Sequence, residues 1–156
     1  MDSARVRDAF AGAADHFVAT VTRVPADAWD RQGLGEWSVR ALVGHTSRAL
    51  LTVETYLAAG AARVVARVQR AADTDLVGTP AGGMTLIAYL PTRVFELAIH
   101  TLDLAAALGV AGSLPDAAAA VTLDLVAALA RRRGRDTELL LAATGRGALP
   151  AGYTVL

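Results

Sequence analysis

Hydrophobic positions recur at three- and four-residue intervals along most of the chain, and the strict alternation of a strand is nearly absent. From Ser3 to about Val24, Val6, Phe10, Ala13, Ala14, Phe17 and Val21 share one helical face, and Pro25 ends the segment. The following stretch "PADAWDRQGLGEW", with two Trp and two Gly, reads as a loop. Ser38 then stands as the N-cap of "VRALVGHTSRALLTVETYLAA", where Leu42, Thr46, Leu50, Val53 and Leu57 form the next stripe. Gly60 ends or kinks that helix, "AARVVARVQRAAD" continues as a shorter one, and "TDLVGTPAGG" reads as a loop. A further helix runs from about Thr85 or Pro91 to Leu108 and stops at Gly109, Pro91 being tolerable where a helix starts or kinks. Pro115 opens "DAAAAVTLDLVAALARRR", which Gly134 closes with three arginines near its negative end. The tail "TELLLAATGRGALPAGYTVL" is a short helical turn followed by irregular or extended chain. The pattern predicts an all-α fold: one domain over residues 1–156, an antiparallel bundle of four main helices with a short irregular C-terminal tail.

Composition narrows the class. At 156 residues and 54% apolar, the chain has enough material for one real core and too little polarity for disorder. Fifteen basic and fifteen acidic residues balance, so no global field steers it toward nucleic acid or an anionic membrane. The run Arg131–Arg133 is short and has no accompanying aromatics, which also argues against nucleic acid. Absence of cysteine excludes disulfides, thiolate ligands and a cysteine nucleophile, and fits a reducing cytoplasm. The N-terminus is charged where a signal peptide would be apolar. The greasiest window, "AAAAVTLDLVAALA", carries Asp124 and is too short to span a bilayer, though the outer face of 116–130 could be buried in a homodimer. A cytoplasmic protein acting on a small molecule is the expectation. No G-x-S-x-G elbow, phosphate loop or dinucleotide fingerprint is present.

The chemistry concentrates in "PTRVFELAIHTLDLAAALG", Pro91 to Gly109, an apolar run interrupted by Arg93, Glu96, His100 and Asp103. At about 100° per residue these four fall within an arc of roughly 80°. Either the arc is the solvated face of an amphipathic helix, or the helix is buried nearly all round and the arc points inward, where a cation would compensate the charge. Glu96 and His100 are four residues apart and can converge on one ion. A catalytic zinc site usually takes three protein ligands and keeps a fourth position open. Without cysteine the third ligand must be a carboxylate or one of the two other histidines, His16 and His45. His16, between Asp15 and Phe17, reads as structural, and Trp37 reads as a packing anchor at the helix entrance.

"EWSVRALVGH" (Glu36 to His45) followed by "RVFELAIHTLDLAAALG" (Arg93 to Gly109) resembles the N-terminal domain of mycothiol-dependent maleylpyruvate isomerase, within the DinB/YfiT-like group of metalloenzymes. The match covers roughly the first 110 residues. Trp37 to His45 fits the family's first motif, and Glu96, His100 and Asp103 fit its second. The resemblance implies a four-helix bundle with His45, Glu96 and His100 holding a divalent metal, usually zinc. It implies mycothiol as cosubstrate, and hence S-transfer or cis–trans isomerisation of a small electrophile, with sulfur supplied by the cosubstrate. The isomerase carries a further C-terminal domain that these residues do not contain, so a substrate other than maleylpyruvate is expected. Arg93 and Asp103 are the candidate catalytic residues: Arg93 pairs with Glu96 or holds a substrate carboxylate, and Asp103 orients a side chain or caps the neighbouring loop. The alternatives are a metal-dependent hydrolase and a helical bundle that only binds.

Overall fold

The computed structural model describes residues 2–55, 61–79 and 82–156, with the backbone alone at 49–55 and 61–62. Among the described residues the chain runs α1 (Ser3–Val21), β1 (Gln32–Leu34), β2 (Trp37–Ser38), α2 (Val39–Thr55), α3 (Ala61–Arg70), β3 (Leu76–Thr79), β4 (Gly82–Thr85), α4 (Leu86–Ala107), α5 (Asp116–Arg132) and α6 (Asp136–Ala143). The fold is mostly helical, as the periodicity predicts.

Local chemistry sets the helix ends. The Asp2 carboxylate accepts from Ala4 N at 3.2 Å and caps α1. α1 closes at Val21, and Arg23 N to Thr20 O and Val24 N to Val21 O carry the chain as a tight turn up to Pro25. Ser38 Oγ accepts from Ala41 N at 3.2 Å, the cap expected of it. Gly134, at φ +65°, stops the chain after α5 in a conformation that favours glycine. The expected end or kink at Gly60, with Leu57 of the second stripe, lies outside the described residues.

The all-α expectation is corrected at two places. Part of the loop after Pro25 is an antiparallel ribbon pairing Gln32 with Ser38 and Leu34 with Trp37 around Gly35. The supposed loop from Thr74 is a hairpin whose register runs from Leu76 opposite Thr85 to Thr79 opposite Gly82. Strands of two to four residues, one of them half glycine, carry too few positions to display alternation. Two-stranded ribbons are marginal alone. Here the first lies against α2 and α4, and the second against α4, so helix packing holds both.

α4 is the organising element. It begins at Leu86, so Pro91 lies inside it. The proline cannot donate to the Ile87 carbonyl. The extra turn survives because Leu86, Tyr89 and Leu90 are buried, and because Asp75 O and Asp73 O accept from Leu86 N (2.7 Å) and Ile87 N (3.2 Å). Of its 22 residues only Ala88 and Ala106 are exposed. α1, α2 and α5 pack around it, and Leu90, Val94, Leu97 and Leu104 meet Phe10, Phe17, Leu42 and Val121 in the core. Leu97 is fully buried at the middle of that stripe. Leu97→Ala is expected to cost about 2–5 kcal/mol in urea unfolding, the range for a buried leucine whose site cannot fully collapse.

Two polar ties complete the frame. Arg7, buried on α1, donates to Ala71 O at 2.9 Å and pairs with Asp73, which also accepts from Ser3 Oγ. That hydrogen bond from Arg7 is the main reason the Asp73 carboxyl sits below its ordinary range. The tail returns to α6: Arg135 donates to Thr154 O and Tyr153 Oη donates to Arg135 O, both at 2.9 Å, and Val155 is buried. No helix among the described residues is long and apolar enough to cross a membrane.

Candidate metal centre

The core leucines of α4 and its ionisable arc do not share a direction. At about 100° per residue, Arg93, Glu96, His100 and Asp103 lie roughly a quarter-turn round from the Leu90–Leu97–Leu104 stripe. The arc is therefore neither the outer face nor the core face. It is a half-buried shoulder, and α2 packs along this helix.

α2 brings His45 to that shoulder. Val39, Leu42 and Thr46 turn into the core, which leaves His45 on the flank beside them. His45 Nε2 stands 3.9 Å from Glu96 Oε2, and His100 Nε2 stands 3.3 Å from the same oxygen. One ligand atom from each of the three lies within 4.8 Å of the others, a group that could hold a metal ion. The imidazoles meet edge to face with centroids 5.0 Å apart. Asp103 stands behind: its Oδ2 accepts from His100 Nδ1 at 3.0 Å. With Nδ1 so engaged, Nε2 is the ring atom that faces Glu96 and His45.

Exposure is graded across the group. The His100 side chain is 15% exposed, Asp103 24%, Glu96 31% and His45 38%. The site is closed behind His100 and opens on the α2 side. There Trp37, itself 38% exposed, sets its ring 4.5 Å from that of His45 at a tilt of 47°. The β1–β2 ribbon holds Trp37 at the helix entrance, packed against His45 at the rim of the site. Periodicity could not show this, because a two-residue strand has no period.

The charges are coupled. The His100 pKa is raised, first by its hydrogen bond to Glu96 and then by that to Asp103, against burial, which opposes the charge. Glu96 is correspondingly lowered, chiefly by His100, with Arg93 helping and burial opposing. His45 is lowered, mainly by desolvation and then by the nearby His100, although Glu96 pulls the other way. One imidazole is primed to carry a proton and the other to be neutral.

Of the residues singled out in the sequence, His45, Glu96, His100 and Asp103 come together. Asp103 lies within hydrogen-bond distance of His100 Nδ1, where it could orient that ring. Arg93 makes no ion pair with Glu96: its guanidinium lies over the Tyr89 ring at 4.8 Å, and its Nε donates to Thr92 Oγ1 at 3.2 Å. Tyr89, four residues earlier on the same face, was not legible as its support. His16 lies on α1, away from the group. Among known proteins, no family model, curated sequence or solved structure matches this chain.

Proposed function

We infer that His45, Glu96 and His100 hold one divalent cation, zinc being the first candidate, and that the chain is a metal-dependent enzyme of the DinB/YfiT-like kind, an antiparallel four-helix bundle. The observation that carries the reading is the approach of two imidazole Nε2 atoms to a single carboxylate oxygen. Tetrahedral ligands with bonds of about 2.0–2.1 Å stand about 3.3 Å apart. Glu96 and His100 are already at that separation, His45 is roughly half an ångström farther from Glu96, and all three ligand atoms lie within 4.8 Å of one another. The donor set, two imidazoles and one carboxylate, suits a catalytic site better than a structural one, since three protein ligands leave a position open.

A bound cation would lower the pKa of a water or thiol in that open position. The residues around it supply the rest. Asp103 fixes the ring of His100, and the exposed edge of Trp37 walls the open side. Arg93, one turn from Glu96 and stacked on Tyr89, offers a fixed positive charge to a substrate carboxylate. Because the chain has no cysteine, a sulfur nucleophile must arrive with a cosubstrate. The resemblance makes mycothiol the candidate, with addition of its thiolate to an electrophilic carbon as the common step of S-transfer and isomerisation. Metal-loaded protein should then conjugate mycothiol to monochlorobimane, and His45→Ala should not. Thiol-independent cleavage of esters or amides by the same preparation would contradict this and favour hydrolysis.

Asp103→Asn is expected to weaken cation binding about 10–100-fold, the usual cost of losing a carboxylate that orients a ligand histidine. Its effect on metal-free stability should stay near 1 kcal/mol, one partly buried hydrogen bond. Isothermal titration beside urea unfolding separates the two numbers.

A further inference from the structure

The second half of α1, the last turns of α4 and the chain that follows each of them line a partly open cavity of about 180 Å³ that shares no residue with the metal centre. On α4 its residues Thr101, Ala105 and Leu108 lie roughly 120° round the helix from Glu96 and His100. From α1 and the turn after it come His16, Thr20 and Arg23, four and three residues apart and so on one face.

The inventory of polar groups sets the charge of what fits. The Thr20 hydroxyl donates to His16 O at 2.9 Å and that of Thr101 to Leu97 O at 2.6 Å, so neither has a proton left to offer. The carbonyls that end both helices are taken as well: Val18 O by Thr22 N, Thr20 O by Arg23 N, Leu104 O by Leu108 N and Ala105 O by Val110 N. Without a hydrogen-bond partner among the described residues are the Arg23 guanidinium, the His16 ring and the Ser113 hydroxyl. All three can donate, and one is a permanent cation. The negative ends of α1 and α4 oppose an anion here. Their effect at an open rim is smaller than that of a guanidinium bonded directly to a carboxylate. The remaining wall, Ala105, Leu108 and Ala111 among it, is apolar. An aliphatic cavity of about 150 Å³ holds benzene, so this one takes a single ring with a small head group.

We propose that this cavity binds a small monocarboxylate, its head against Arg23 and His16 and its single-ring apolar body against Ala105, Leu108 and Ala111. The test is a titration of the isotope-labelled chain with benzoate, followed by amide shifts, with zinc present and again after chelation. Saturable shifts centred on 101–113, the same in both states, are expected. Benzyl alcohol, the neutral isostere, should bind at least about tenfold more weakly, and Arg23→Gln should weaken benzoate about tenfold while leaving benzyl alcohol unchanged. Ala111→Phe, made at an exposed rim position, should abolish both while the rest of the spectrum stays folded. Arg23 is also exposed, so its substitution keeps the test valid should the Phe variant misfold. The proposal is overturned by any of three results: no saturable shift at tens of millimolar benzoate, shifts centred on 45 and 96–100 that depend on zinc, or equal binding of acid and alcohol that ignores Arg23→Gln.

Discussion

Zinc at about a thousand times its dissociation constant should raise the unfolding free energy of the chain by about 4 kcal/mol, and His100→Ala should erase the gain. The three candidate ligands, drawn from α2 and α4, come together only in the folded state, so whatever a cation gains on binding there is added to folding. For a domain of this size the gain corresponds to a rise in melting temperature of about 8–16 °C. His45→Ala should behave like His100→Ala, because it removes the candidate ligand that α2 contributes. His16→Gln keeps a half-buried side chain of similar size away from the site and should melt with the full zinc-dependent shift. If the third histidine mattered as much as the other two, the effect would reflect loose surface binding.

Cation affinity should fall by about tenfold per pH unit once the pH drops below the folded pKa of His100. The two imidazoles enter this differently. His45 is held below 6.5 by desolvation and is already neutral near pH 7. His100, between Glu96 and Asp103, is held above 6.5 and must give up the Nε2 proton that faces Glu96. At a pH below the folded pKa of His100 and above that of His45, each cation should therefore release about one proton, readable by titration calorimetry in buffers of different ionisation heat; release of two, or an affinity flat with pH, would contradict the assignment.

The metal-free protein carries the same signs. His100's folded pKa lies above its unfolded value, so its stabilisation is complete below pH 6.5 and is lost as pH rises through the folded value. Glu96's folded pKa lies below 4.5, so its contribution is present above 4.5 and is lost as pH falls through the folded value. His45 opposes them, since acidification through 6.5 favours its protonation in the unfolded chain. The Glu96–His100 pair thus helps the metal-free site most in mildly acidic solution, where the cation is already bound more weakly than at neutral pH.

Much of this was legible in the residues because helices report themselves. Val6, Phe10 and Phe17 on α1, and Leu97 and Leu104 on α4, repeat with the period of the structure they form, and Ser38 and Gly134 announce ends by local hydrogen bonding and backbone angle. The i, i+4 spacing fixes Glu96 beside His100 on any helix. What the chain does not reveal locally is set by contacts between elements. The hairpin at Leu76–Thr85 forms because α4 supports it, and α4 starts before Pro91 because Asp73 and Asp75 receive its first N–H groups. Arg7 shows the same limit. Its position on α1 is a core position, and only the return of the chain at Ala71 and Asp73 makes a charge tolerable there. Trp37 sits at the rim of the candidate site for a like reason: where α2 meets α4 decides which of its faces is covered.

X-ray absorption at the zinc edge, on protein purified without a histidine tag, addresses the convergence of α2 and α4 on one ion most directly. It should find one zinc per chain in a shell of light atoms about 2.0–2.1 Å away that includes two imidazoles, and the His45→Ala protein should hold no stoichiometric zinc. Zinc below stoichiometry in the unsubstituted chain, or a stoichiometric shell whose imidazole count is unchanged in His45→Ala, would contradict the site.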